Sequence, residues 1–249
     1  MSDMNRTMPF FFAFFFSTVT FESVWGADDI REYAEFQAFH VEQTVQAIDL
    51  ALLDSSELME RSPDSDELNL HTTLAKYVER TPGLRAIIAT DKAGQLKVDS
   101  FTYPSKDLDL SDRQYVKHAL NAANRDLFIG SPLVGRSSGA AFVPFARALF
   151  DSDKKVLGVI TGIIHPGFLI KQDTLCTQCI VSLFNSRNEV LVSYPSNAHF
   201  PNDYTAQMNA LEKGGLLNAR INDHEIETWV IALKEYDIRI GVSKFRNKQ

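Results

Sequence analysis

The chain has 249 residues, 45% of them hydrophobic and 23% charged, with a net charge of −7. That length fits two small domains or one large one, and the composition is that of a folded globular protein, not a disordered one. The acidic balance and the lack of a dense Lys/Arg run exclude a nucleic-acid binder, because phosphate recognition needs clustered cations.

Residues 8–21, MPFFFAFFFSTVTF, form an apolar run after a short segment holding Arg6. The run is shorter than the ~20 apolar residues of a membrane span. It suits the apolar core of a secretory signal, with Gly26 or Ala27 before the cut. The other reading is an uncleaved anchor extended through Val24. On either reading the rest of the chain is expected to be periplasmic or extracytoplasmic, anchored to the inner membrane if the N-terminus stays on.

Residues 28–62 read as one long helix. Ala34, Ala38, Val41, Val45, Ile48 and Leu52 recur at alternating spacings of four and three, a heptad-like seam. Such a seam buries within its own chain, against a partner, or both. Residues 66–80 form a second helix, with Leu70, Leu74, Tyr77 and Val78 on one face, and Pro82-Gly83 ends it. Strands at 84–90 and 95–101 flank a turn at 91–94. Ser111 is read as opening a short helix, with Gln114 at capping-box spacing. Three strands follow, the last after the polar turn 151–155. These pieces are expected to make a five-stranded antiparallel sheet with helices on one side. After a short helix near 166–172 the pattern partly restarts. A hairpin spans 180–194, a helix 202–213 stops at Gly214-Gly215, and strands follow at 216–221, 227–233 and 238–242.

One stretch is more specific. It carries Leu110-Ser-Asp-Arg-Gln-Tyr115, Gly130-Ser-Pro-Leu-Val-Gly-Arg136, Ser138-Gly139, Ala146-Arg147 and Gly158-Val-Ile160, in that order. These pieces and their spacing resemble the double Cache (PDC, PAS-like) extracytoplasmic sensor domains of diguanylate cyclases and sensor histidine kinases. The resemblance covers residues 30–243. It implies an α+β fold, a long N-terminal helix followed by two PAS-like lobes, each an antiparallel sheet of about five strands with flanking helices. The implied division is a signal peptide or anchor at 1–27, a spine helix at 28–62, a membrane-distal ligand-binding lobe at 63–174 and a smaller membrane-proximal lobe at 175–249. The implied function is a sensor, not an enzyme, that binds a small ligand and passes the signal to a partner. No GGDEF motif, kinase box or methyl-accepting hairpin occurs. Output is therefore expected from the partner, a membrane receptor or a second copy docked on the first helix. The alternative is a ligand-free interaction or dimerisation module of the same fold.

Within this frame Arg113 and Tyr115 border the expected ligand pocket. An Arg fork suits a planar carboxylate, since it donates two parallel hydrogen bonds. A structural ion pair with Asp109 or Asp112 is the competing role. Amino-acid-sensing relatives place an ammonium-binding Asp on the last strand of this lobe, and here that place falls at about Ile163. A small carboxylate without an amine is therefore the expected ligand. Arg136 and Arg147 are weaker contacts, equally readable as solvated or paired surface charges. Phe128, Phe142, Phe145 and Thr161 are expected to floor the pocket, although a strand Phe is a core residue first.

Cys176 and Cys179 are the only cysteines. In an oxidising compartment a local disulfide is the plain reading. A redox pair would need to open a helix, and a zinc site would need two more ligands. His165 is read as a capping residue or a pH-sensitive contact. No HExxH, P-loop, GxSxG or dinucleotide fingerprint occurs, so no cofactor or metal is expected.

Overall fold

The computed structural model describes residues 27–62, 65–172, 176, 178–196 and 198–246. The signal-or-anchor segment lies outside the described residues. Among the described residues no helix is long and apolar enough to cross a membrane.

Helix α1 runs from Ala27 to Arg61 and α2 from Glu67 to Arg80, where the Asp66 carboxylate caps the Asn69 N–H. Such a cap is worth about 1 kcal/mol. The first sheet follows: β1 (Leu84–Asp91), β2 (Leu96–Asp99), α3 (Gln114–Leu120), β3 (Phe128–Ile129), β4 (Leu133–Val134), β5 (Ala141–Phe150) and β6 (Val156–Ile164). Its order is β2-β1-β6-β5-β3, with β4 also on β5. It has six strands where five were expected. The extra one arises because Pro132 has no N–H to continue a ladder, so the stretch splits into two two-residue strands. The second sheet holds β7 (Cys179–Phe184), β8 (Val190–Tyr194), α4 (Asn202–Ala210), β9 (Gly215–Ile221), β10 (His224–Leu233) and β11 (Ile238–Phe245), in the order β8-β7-β11-β10-β9. Both sheets share one winding. An opening hairpin sits beside the last strand of the lobe, and the middle strands run outward from it.

Helix α1 ties the lobes together. All six seam residues, Ala34 through Leu52, are buried. They join Ile87, Phe145 and Ile160 of the first sheet and Val181, Leu183 and Ile240 of the second in a single core. Ser55 and Ser56, buried on the same helix, satisfy their hydroxyls on the Ala51 and Leu52 carbonyls. The Gln37 amide bonds the Lys171 backbone both ways, at 2.8 and 3.0 Å, fixing the helix to the inter-lobe connection. The seam is thus covered by its own chain and is not free for a partner.

Two local expectations change. Helix α3 begins at Gln114, not at Ser111, and its N-cap, Arg113, makes no side-chain capping bond. Leu110 to Arg113 is a turn instead, closed by the Arg113 N–H on the Leu110 carbonyl (3.0 Å). The helices also do not share one side. Ile87 and Ala89 face the α1–α2 core, whereas their neighbour Ile88 packs with Tyr115, Val116 and Ala119 of α3 on the opposite face.

Candidate functional site

Between the first sheet and the α3 side lies a cavity of about 450 Å³, within the range of small-molecule sites, roughly 300–1,000 Å³. Ile88 of β1, Leu96 of β2, Phe142 of β5 and Ile163 of β6 floor it. Phe101, Lys106, Leu108 and Leu110 wall one side. Arg113 and Tyr115 stand where α3 begins, and Arg136 to Ser138 close the β4–β5 turn over it.

The turn before α3 puts Arg113 there. Its backbone is extended (φ −67°, ψ 131°), so the side chain departs from the helix start. The guanidinium makes one long contact, Nη2 to the Val134 carbonyl at 3.5 Å, and pairs with no carboxylate among the described residues. Asp112, its candidate partner, is taken by Arg136, which also donates to the Asp109 carbonyl. Asp109 itself caps Ser111: its Oδ1 accepts the Ser111 N–H (2.8 Å), and that bond and the Ser111 hydroxyl hold its carboxyl below the usual range. Tyr115 is buried edge-on to Phe142, with ring centroids 6.4 Å apart. Burial pushes its phenol up to about 12, so at neutral pH it is a protonated hydroxyl, able to donate.

Three lining residues had no clear signal in the sequence. Arg85 reaches the cavity because the β1–β6 register shifts between Leu84 and Ala86, and a charge inside an apolar strand was its only mark. Lys106 donates from Nζ to Ser137 Oγ (2.6 Å), joining the two rims. Asp99, at the end of β2, supplies the one carboxylate among the described lining residues, and its Oδ1 accepts the Phe101 N–H (2.8 Å). The lining therefore sets four cations, Arg85, Lys106, Arg113 and Arg136, against Asp99. With Arg136 offset by Asp112, the balance still attracts an anion.

Four candidate residues lie elsewhere. Phe145 and Arg147 point to the opposite face of β5, where Phe145 is in the core and Arg147 pairs with Asp49 of α1 (Nε to Oδ1, 2.7 Å). Phe128 stacks on His118, centroids 3.8 Å apart, with the Arg187 guanidinium 5.3 Å from its ring centre. Thr161 is buried in β6, one alternation before Ile163, and does not reach the cavity surface. His165 accepts the Gly167 N–H on Nδ1 (3.1 Å) at a 3-10 turn. Cys176 and Cys179 are joined in a disulfide at the start of β7. Among the described residues no group of three or more His, Cys, Asp or Glu side chains gathers as a metal site would require.

No family model and no curated protein matches the chain. Solved structures do. The extracellular domain of rpHK1S-Z16, named as a histidine kinase, aligns with a TM-score of 0.75 at 23% identity, over 88% of this chain and 94% of that one. The fold is that of a double Cache, PAS-like sensor domain. The ligand-binding domain of the Pseudomonas fluorescens chemoreceptor CtaA, solved with L-serine, aligns at 0.68 and 15% identity over 89% and 97% of the two chains. That of the Pseudomonas aeruginosa PAO1 chemoreceptor PctB, solved with L-Arg, aligns at 0.64 and 15% over 88% and 94%. The double Cache architecture thus extends through both lobes and the spine helix.

Proposed function

We propose that this chain is an extracytoplasmic sensor module that binds a small anionic ligand in the distal cavity and passes its occupancy to a partner. The observation that carries this reading is Arg113, lining the cavity without a carboxylate partner among the described residues. An Arg so placed has its fork available for a ligand carboxylate. The Tyr115 hydroxyl adds a donor beside it. CtaA and PctB were solved with amino acids, but the ammonium half of such a site is weak here. Ile163 is apolar, and Asp99 already accepts the Phe101 N–H. A filled pocket, or a melt that no small molecule shifts, would favour a ligand-free module of the same fold, and here about 450 Å³ stands open.

On this reading the apolar N-terminus exports the domain, leaving it released or anchored. Its partner, a second copy or a receptor, meets the outward face of α1. Thermal-shift measurements of the full chain against organic acids, amino acids and amines test the ligand class. Arg113→Ala should abolish the stabilisation given by acids, with an affinity loss of about 2–5 kcal/mol, the usual cost of removing one partner of a buried charge pair. Unchanged acid affinity in that variant overturns the assignment of Arg113.

A further inference from the structure

We infer that the ligand of this cavity is a carboxylate with an extended apolar body, and neither a free α-amino acid nor a diacid. The inference rests on the anion reading above and adds what the rest of the ligand must be. Charge and grease are separated in the cavity. Arg85, Lys106 and Arg136 are exposed and come from a strand end and two rim segments, while Leu110 and Phe142 are buried. Ile88, Leu96, Leu108 and Ile163 complete an apolar lining below. A two-carbon acid would engage Arg113 and leave that lining uncovered. A longer chain covers it, and each methylene removed from water should tighten binding about fourfold.

The polar groups argue the same way. An ammonium on the carbon next to the bound carboxylate would lie close to the like charge of the Arg113 guanidinium. Asp99, the one carboxylate among the described lining residues, sits on β2 at the edge of the sheet with an oxygen already committed to the Phe101 N–H. A second carboxylate must either lie on the apolar lining around Phe142 and Leu96, as an uncompensated buried charge, or turn back to the exposed cations Arg85, Lys106 and Arg136 and leave that lining uncovered. Phe101 lines the same cavity while 80% exposed, an aromatic side chain at the opening with apolar surface still to cover.

Isothermal titration of the full chain with butanoate, hexanoate and octanoate, and with 2-aminooctanoate and octanedioate, decides it. The expected result is a Kd falling about fourfold per methylene along the monoacids. The amino acid and the diacid should bind at least about tenfold more weakly than octanoate. Arg113→Ala should weaken every monoacid by a similar factor, which separates seating in the cavity from adsorption to exposed grease. A flat affinity along the series, a preference for the amino acid or the diacid, or monoacid affinities that Arg113→Ala leaves unchanged overturns the inference. In the first two cases an anion-binding cavity still stands. If no carboxylate binds at all, the anion reading falls together with it.

Discussion

Arg113 and Arg147 are the same residue type in one lobe, and their surroundings give them opposite roles. Arg147 is turned toward α1 and buried with Asp49, side-chain exposures being 8% and 15%. Arg113 is turned toward the cavity and keeps its fork free of carboxylates among the described residues. The difference for Arg147 is one of parity. On β5, residues 143, 145, 147 and 149 face the spine, while 142 and 146 face α3, because successive side chains of a strand alternate. Removing Asp49 should therefore be a stability lesion and nothing else. Asp49→Ala leaves a guanidinium buried without its partner, at a cost of about 3–5 kcal/mol. Thermal or urea unfolding should show that loss, while acid binding by the surviving folded fraction stays at the parent value. A loss below about 1 kcal/mol would mean that Arg147 finds water or another partner.

At the scale of elements, α3 runs from the cavity to the ring stack that meets the second lobe. Its start carries Arg113 and Tyr115. Its end carries His118, stacked on Phe128, with Arg187 of the β7–β8 turn over the other ring. Arg187 also reaches the Ile129 carbonyl at 3.5 Å. Burial lowers the pKa of His118 from 6.5, and the charge of Arg187 adds to the shift. With the folded pKa below the unfolded one, the unfolded chain binds more protons as pH falls through 6.5. Stability contributed by the neutral ring is therefore present at higher pH and lost on acidification. Much of the ring lies in solvent, so the expected loss is at most about 0.5 kcal/mol. It should be read as the difference between parent and His118→Gln melting curves from pH 7.5 to 5.5. Identical pH profiles would remove His118 from the contact. The sequence made most of these elements legible, because strand alternation and helix periodicity are local. It misplaced the start of α3, where the Ser111 N–H is held by Asp109 and a turn takes the place of the capping box. The site was half legible. Arg113, Tyr115, Arg136 and Phe142 lie in or next to one continuous pattern, whereas Arg85, Asp99 and Lys106 are gathered by strand pairing and a bulge that no local pattern announces.

At the scale of the whole molecule, α1 separates what holds the lobes together from what remains for a partner. Its 3-4 seam is internal: Val45 and Ile48 are fully buried in the core shared by both sheets. The outward face presents Phe36, Phe39 and Leu50, exposed at 37%, 64% and 56%. Placing Glu at both Val45 and Ile48 would bury two unpaired charges, and the chain should lose its cooperative melt, since such substitutions belong to the largest single-site effects known, above about 4 kcal/mol. Phe39→Glu should change stability by no more than about 0.5 kcal/mol, as surface substitutions usually do. If the spine also carries the partner contact, Phe39→Glu should weaken self-association or receptor crosslinking while leaving the melt and acid binding intact. Sedimentation of parent and variant across a concentration series reads the first, and crosslinking in cells the second. A parent that stays monomeric at high concentration and yields no crosslinked partner would leave α1 with one role, that of joining the two sheets through a common core.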